Sequence, residues 1–255
     1  MTDRKTELAA NLANVERRIS DACAAAGRER EEVTLIVVTK TYPASDVRIL
    51  SELGVRHVAE NRDQDAAPKA AACADLPLKW HFVGQLQTNK VRSVVGYADF
   101  VQSIDRGRLV AALSKEATRA GREVGCLIQV ALDAGEGGPD STGAGDTPDG
   151  RPGETGSRGG VAPGGIEELA GLVAASPGLR LDGLMTVAPL TGEYAGRERA
   201  AFDRLMDLST DLRRAHPAAT MVSAGMSADL ERAVAAGATH VRVGTAVLGV
   251  RPRLG

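Results

Sequence analysis

A single lysine follows an apolar segment of strand character, in a position suited to covalent chemistry on a carbonyl group. The segment Val33–Thr39 is apolar and β-branched, and Lys40 follows it directly, shortly before Pro43. This pattern predicts a buried strand ending at Lys40, with Pro43 able to open a helix. Ligands bind at the carboxyl ends of strands in sheets of alternating strands and helices. We therefore expect a partly desolvated Lys40 amine acting as a Schiff-base nucleophile; the alternative is a snorkelling surface lysine.

A second cluster, near the carboxyl end of the sequence, has the composition of an anion site. Residues 222–230 predict a strand, a tight turn of small residues and the start of a helix. We expect the hydroxyl groups of Ser223 and Ser227, with the backbone N–H groups of Met226 and Ser227, to converge on a phosphate. The helix dipole would favour the anion, whereas Asp229 in the first turn would compete mildly with it.

The following strand supplies more anion-binding groups. Residues 240–245 end in the pair Gly244-Thr245, which can offer two N–H groups and a hydroxyl. In (β/α)₈ barrels, phosphates are commonly held by the loops after strands seven and eight, and these are the last two predicted strands. Taken separately, a serine-rich helix start indicates only a cap and a Gly-Thr pair only a turn.

Arg242 adds to this cluster a permanent hydrogen-bond donor. Alternation along the strand places Arg242 on the face of Gly244, opposite Val241 and Val243. If that face lines the ligand site, the guanidinium donates to a pyridine nitrogen and keeps it unprotonated. Such a ring is a weaker electron sink, which suits racemase-like or binding-only pyridoxal phosphate sites better than transamination. An ion pair at the barrel rim is the alternative for Arg242.

Strand-like apolar runs alternate with helical patterns along the chain, which is typical of βα units around a parallel sheet. Eight strands are predicted, at residues 33–39, 56–60, 79–84, 100–104, 124–132, 181–187, 221–224 and 240–243. The clearest helices are predicted at residues 8–23, 45–53, 106–120, 166–175 and 194–215. Together they predict an α/β fold, a single closed (β/α)₈ TIM barrel.

One segment interrupts this alternation. In residues 134–165, sixteen of the thirty-two residues are glycine or proline and none is aromatic. Such a segment cannot bury enough apolar surface to offset its ordering entropy. We predict a disordered insertion within a single domain spanning residues 1–255. It would emerge on the ligand side of the barrel, either as a flexible lid or as a linker without a role.

The composition is that of an ordinary globular protein. Hydrophobic residues make up 43%, charged residues 25%, and the formal charge of −2 gives no reason to expect nucleic acid as a partner. No segment reaches the roughly 20 apolar residues of a membrane span, and no signal sequence opens the chain, so we expect a cytoplasmic protein. Cys23, Cys73 and Cys126 are widely spaced and odd in number, which favours buried thiols over disulfides or metal ligands.

Several ordered segments carry a resemblance to a known family. They are Val38–Thr41, Glu60–Arg62, Trp80–Lys90, Gly183–Thr186, Ser223–Leu230 and Arg242–Thr245. In these segments the chain resembles the pyridoxal phosphate homeostasis proteins, also called the YggS/PROSC family. The resemblance runs from the first helix to the last strand and breaks at the insertion. It implies a barrel similar to the amino-terminal domain of alanine racemase, with pyridoxal 5′-phosphate (PLP) bound as an internal aldimine on Lys40.

The resemblance also implies the cofactor contacts and the role. Besides Lys40, the implied PLP-binding residues are Asn61 near the ring, Arg242 at the pyridine nitrogen, and Ser223, Met226, Ser227, Gly244 and Thr245 around the phosphate. The implied role is intracellular homeostasis of PLP, the active form of vitamin B6, without robust catalysis. No metal or catalytic residue is implied, apo forms of PLP-dependent enzymes are the implied recipients, and a monomer is workable. Asp63 departs from the apolar residue that the family usually has there.

Two enzymatic readings remain open. A PLP-dependent amino-acid racemase needs a second base on the opposite substrate face, which alanine racemase takes from a further domain expected to be missing here. Of the tyrosines, only Tyr42 is near Lys40 in sequence, and it is poorly placed for the opposite face. A cofactor-free Schiff-base aldolase would use Lys40 and the anion site, but lacks an acid/base pair and leaves Arg242 unexplained. His81 is predicted to be buried and hydrogen-bonded rather than catalytic.

Overall fold

The computed structural model describes residues 3–133 and 159–249 and shows eight parallel strands closed into a barrel. The strands are β1 Thr34–Val38, β2 His57–Glu60, β3 Lys79–Phe82, β4 Phe100–Ile104, β5 Val124–Gln129, β6 Leu179–Met185, β7 Met221–Ser223 and β8 His240–Val243. Each strand pairs in parallel with the next, and β8 pairs with β1. The predicted single (β/α)₈ barrel is confirmed.

Helices lie between the strands and cover the barrel. They are α1 Arg4–Ala25, α2 Ala44–Glu52, α3 Asp63–Ala72, α4 Val91–Tyr97, α5 Gly107–Ala120, α6 Ile166–Ala174, α7 Glu198–Ala215, α8 Leu230–Ala236 and α9 Thr245–Leu248. The predicted helix at residues 194–215 begins four residues late. Gly192 and Gly196 have φ angles of 77° and 69° in the segment before it, which holds that segment in turns rather than in a helix.

The outward faces of the strands pack against the helices, and the inward faces form layers. Outward residues such as Val58, Val101 and Val241 belong to the apolar core beneath the helices. Parallel register and alternation place the inward side chains in three layers from the carboxyl to the amino ends. The first holds Ala59, Gln102, Met185 and Arg242, the second Ile36, His81, Leu127 and Ser223, and the third His57, Phe100, Gly183 and His240. The barrel interior therefore contains many polar groups.

Most of the predicted insertion, residues 134–158, lies outside the described residues. Residues 159–165 are described and have defined structure: Val161 forms a parallel bridge with Val130, and a 3₁₀ turn follows at Pro163–Gly165. The prediction of disorder is therefore wrong for residues 159–165, because the bridge and the buried Val161 side chain return this segment to the barrel.

The three cysteines are free and buried, as predicted. Burial raises the pKa of the Cys23, Cys73 and Cys126 thiols, which favours the neutral form. Within the described ranges, no three His, Cys, Asp or Glu side chains are grouped to hold a metal ion. Over the same ranges, no helix combines the length and the apolar character needed to cross a membrane.

Candidate cofactor-binding site

Lys40 lies in a turn just beyond β1, and its side chain is exposed. The Tyr42 N–H donates to the Thr39 carbonyl over 3.1 Å, which closes a four-residue turn around Lys40 and Thr41. Thr41 has a φ of 69°, a strained left-handed conformation for a β-branched residue, and such strain often marks functional segments. The predicted position at a strand's carboxyl end is confirmed. The predicted partial burial is wrong, because the turn carries Lys40 beyond the packed interior.

A buried ion pair anchors the residue before Lys40. The Lys69 ammonium of α3 lies 2.5 Å from Oε1 of Glu60 and donates to the Thr39 carbonyl over 2.8 Å. The Thr39 hydroxyl donates to the same Glu60 oxygen over 2.6 Å. Glu60 and Thr39 are fully buried, and Lys69 is 8% exposed. The turn that carries Lys40 therefore starts from a backbone position held by two side chains.

Strand register brings other predicted residues beside Lys40. Because β1 pairs with β2 on one side and with β8 on the other, the residues that follow those two strands, half-buried Asn61 and the Gly244-Thr245 pair, flank the turn that carries Lys40. Gly84, which follows β3, packs against Asn61: a β-carbon at Gly84 would lie 2.0 Å from the Asn61 carbonyl oxygen. Any side chain at Gly84 would therefore displace Asn61.

The loop after β7 meets the first turn of α9 and forms the candidate anion cluster. The Ala246 N–H donates to the Ser227 hydroxyl oxygen over 3.4 Å, and Gly244 begins that turn. Ser227, Gly244 and Thr245 thus come together, as the sequence predicted. In this short turn the N–H groups of Val247 and Leu248 donate to the Gly244 carbonyl, and the N–H group of Ala246 is the one bonded to Ser227. The Thr245 N–H, at the first position of α9, is therefore the backbone donor best placed to bind an anion.

The backbone N–H of Met226, which was predicted to bind a phosphate, is already bonded to a carboxylate. This N–H donates to Oδ1 of the buried Asp229 over 2.5 Å. A phosphate could use this N–H only by replacing the carboxylate. The mild competition predicted for Asp229 is therefore a direct one at the same donor.

Arg242 points into the barrel, as its place in the strand alternation predicted. Its side chain is buried, and its two terminal nitrogens donate to the Ser223 hydroxyl over 2.6 Å and to the Thr186 carbonyl over 2.7 Å. Burial lowers the pKa of Arg242 to about 10, and the Asp229 carboxylate opposes this shift. The guanidinium therefore stays protonated near neutral pH. Its partners are a hydroxyl and a carbonyl, so the alternative of an ion pair at the rim is wrong.

Ser223 lies apart from the anion cluster. Its fully buried hydroxyl accepts from Arg242 and donates to Oε1 of Gln102 over 2.7 Å. The predicted contact between this hydroxyl and a phosphate is therefore not formed by the arrangement seen here, because both hydrogen-bonding roles are taken inside the barrel.

His81 is buried and hydrogen-bonded, as predicted. Its ring nitrogens lie 2.8 Å from Gln102 Nε2 and 2.9 Å from His57 Nδ1, and the ring stacks on Phe100 at 4.5 Å between centroids. Gln102 was not predicted as a site residue, although a polar residue inside the apolar run of β4 was a visible signal. Lys69 was not predicted either, and no local pattern indicates its pairing with Glu60.

Comparison with known proteins agrees with this architecture. Residues 153–252 match the family of the alanine racemase N-terminal domain. The pyridoxal phosphate homeostasis protein of Mycobacterium tuberculosis H37Rv is 40% identical over 268 residues, covering 98% of this chain and 95% of that protein. The structure of PipY from Synechococcus elongatus PCC7942 without PLP has a TM-score of 0.76 at 31% identity, covering 95% of this chain and 100% of that one. PipY with PLP bound has a TM-score of 0.71 at 32% identity, covering 91% and 100%.

The closed parallel barrel, with the Lys40 turn and the candidate anion cluster at the carboxyl ends of its strands, has the fold of the alanine racemase N-terminal domain. The family within this fold is shown by the 40% identity to the Mycobacterium tuberculosis protein over 98% of this chain. The chain belongs to the pyridoxal phosphate homeostasis protein family.

Proposed function

We propose that this chain binds PLP at the carboxyl ends of the barrel strands, holds it covalently on Lys40, and serves intracellular PLP homeostasis. The observation that carries the proposal is the position of Lys40, on an anchored and strained turn between Asn61 and the Gly244-Thr245 pair. The relatives' name and the PLP bound to PipY support the same cofactor. When bound, PLP supplies an aldehyde that condenses with a lysine amine and a ring that withdraws electrons.

Each site residue has a role that its chemistry supports. Ser227, Gly244 and Thr245 bind the phosphate through hydroxyl and backbone N–H groups at the start of α9. Arg242 donates toward the pyridine nitrogen, and because it is protonated it keeps that nitrogen unprotonated. Asn61, which follows β2, would contact the ring. Two contacts implied by the resemblance need a rearrangement, since Asp229 holds the Met226 N–H and Gln102 holds the Ser223 hydroxyl.

We further propose that the protein is a carrier rather than an efficient racemase. The Tyr42 hydroxyl donates to the Gly249 carbonyl over 2.5 Å, which ties it to the end of the barrel. Tyr97 and Tyr194 pack against the apolar core. None of these tyrosines is placed as a mobile base opposite Lys40. A cytoplasmic monomer of one domain that passes PLP to apo enzymes fits this role.

The first prediction concerns the covalent link. Lys40→Ala is expected to lose the absorbance band that PLP gives when bound to a lysine, because the reacting amine is gone. The measurement is an absorbance titration of the purified protein with PLP. Lys115→Ala, which removes an exposed lysine of α5, is the matched control and should behave as the unaltered protein. An unchanged band in Lys40→Ala would refute the assignment.

The second prediction concerns Arg242. Arg242→Ala is expected to keep the covalent link but to shift the absorbance maximum of bound PLP, because the ring nitrogen loses its permanent donor. Arg242→Lys should have a smaller shift than Arg242→Ala, since an ammonium also donates but lacks the planar fork. Spectra of all three proteins at saturating PLP test this. Identical spectra would place Arg242 away from the ring.

A further inference from the structure

A continuous chain of hydrogen bonds crosses the barrel interior beneath the site. Arg242 donates to Ser223 over 2.6 Å, and Ser223 donates to Oε1 of Gln102 over 2.7 Å. Nε2 of Gln102 lies 2.8 Å from Nδ1 of His81, and Nε2 of His81 lies 2.9 Å from Nδ1 of His57. The chain leads from the layer nearest the carboxyl ends to His57, the first residue of β2. It connects the proposed cofactor side of the barrel with the opposite end.

The donor groups determine the direction of donation along this hydrogen-bond chain. A guanidinium only donates, so the Ser223 oxygen accepts from Arg242 and its hydrogen points to the Gln102 carbonyl oxygen. The Gln102 amide nitrogen then donates to His81 Nδ1, so the His81 proton is on Nε2. That proton is donated to His57 Nδ1, which leaves the His57 proton on its own Nε2. Both rings are therefore neutral, each in the Nε2–H form.

Of the two ends of the hydrogen-bond chain, only the His57 end is able to take up a proton. Ser223 and Gln102 are fully buried and His81 is 1% exposed, so the middle of the chain is sealed from solvent. Arg242, at one end, is already protonated. His57, at the other end, is partly exposed. A change in protonation therefore enters at His57.

We propose that Gln102 and His81 are positioning residues for Arg242 and that they transmit the protonation state of His57 to it. A second proton on His57 must occupy Nδ1, the atom that accepts from His81, so the bond between the rings is lost or reversed. Reversal moves the His81 proton to Nδ1 and turns the Gln102 amide, so that its NH₂ group faces Ser223. The Ser223 hydrogen then loses its acceptor, and the contact with Arg242 changes. The effect on bound PLP rests on the proposed function.

The surrounding charges determine the pH at which His57 takes up the second proton. The titratable and charged groups that act on the two rings are Lys79, Asp99, His240 and Arg242, besides the rings themselves. Burial lowers the pKa of His57, Lys79 lowers it further, and Asp99 opposes them. The transition is therefore expected below the ordinary histidine value of 6.5.

The direction of donation along the hydrogen-bond chain is tested on cofactor-free protein. Long-range NMR correlations in isotope-labelled histidine distinguish the Nε2–H from the Nδ1–H form. We expect the Nε2–H form for His81 and His57 near neutral pH. Gln102→Glu should move the His81 proton to Nδ1, because a carboxylate accepts where the amide donated. An Nδ1–H form of His81 in the unaltered protein, or no change in Gln102→Glu, would overturn the proposal.

Transmission is tested by following the side-chain NMR signals of Arg242 during acidification. His57→Gln keeps an acceptor for His81 but cannot be protonated, so the transition at Arg242 should disappear. His216→Gln, which alters a histidine just beyond α7 and outside the chain of hydrogen bonds, should retain it. An equal transition in both variants would contradict transmission from His57.

PLP-loaded protein gives a separate readout. The absorbance of bound PLP should change with the same midpoint in the unaltered protein and in His216→Gln, and should lose this change in His57→Gln. If no PLP binds, the proposed function fails while the NMR experiments still decide the direction and transmission of the chain. If PLP binds but the spectrum has the same pH dependence in His57→Gln, the link to the cofactor is wrong.

Discussion

Lys69→Met is expected to lower the free energy of unfolding by about 3–5 kcal/mol, because it leaves the Glu60 carboxylate buried without its cation. Glu60 is fully buried, and Oε2 of its carboxylate has no hydrogen-bond partner in the described structure. After the substitution the Thr39 hydroxyl is the one hydrogen-bond partner left to the carboxylate among the described residues, and the Thr39 carbonyl also loses a donor. Denaturant unfolding of the purified variant measures the loss.

Two variants isolate the cause of this loss. Lys5→Met removes an ammonium 2.7 Å from Glu52, but both partners are more than half exposed, so the expected loss is below about 1 kcal/mol. Glu60→Gln combined with Lys69→Met removes both charges and should recover part of the stability. A Lys69→Met protein as stable as Lys5→Met would show that the buried pair does not anchor the turn. The anchoring also predicts a lower yield of covalent PLP in Lys69→Met.

Acidification is expected to start destabilising the protein at about pH 6.5, before most carboxylates protonate. Burial, with help from His57 and Arg242, lowers the pKa of His240 to about 4 from its ordinary 6.5. The unfolded chain therefore takes up this proton first as the pH falls. The stability from neutral His240 is complete above pH 6.5 and is lost between pH 6.5 and 4, amounting to about 3 kcal/mol. Burial lowers the pKa of His81 and His57 as well, so they act in the same direction.

The measurement is the free energy of unfolding against pH for three proteins. His240→Gln should have a smaller loss between pH 6.5 and 4, whereas His216→Gln should follow the unaltered protein. Burial raises the pKa of Asp105, which gives an opposing contribution common to all three. Equal slopes in His240→Gln and the unaltered protein would show that His240 is not held neutral by the fold.

The features that the sequence predicted are those that depend on local pattern. The eight strands follow from short apolar runs separated by helical segments, and the place of Lys40 follows from the end of one such run. The direction of Arg242 follows from strand alternation, which has a period of two residues. The meeting of Ser227 with Gly244 and Thr245 follows from the rule that consecutive parallel strands end at one edge.

What the sequence did not predict depends on contacts between distant segments. Lys69 meets Glu60 only because α3 returns over the end of β2, and the residues between them contain no sign of the pairing. Ser223 is an inward residue at the end of its strand, so whether its hydroxyl faces a ligand or Gln102 depends on β4. The exposure of Lys40 depends on the left-handed conformation of Thr41, which cannot be predicted from a threonine in the sequence.

The central claim, covalent binding of PLP on Lys40, is tested most directly by locating the bond. The protein is saturated with PLP, reduced with borohydride, digested, and its peptides are analysed by mass spectrometry. The proposal predicts one dominant modified peptide with the added mass on Lys40, and loss of that peptide in Lys40→Ala. A modification spread over exposed lysines such as Lys115, or none at all, would contradict the claim.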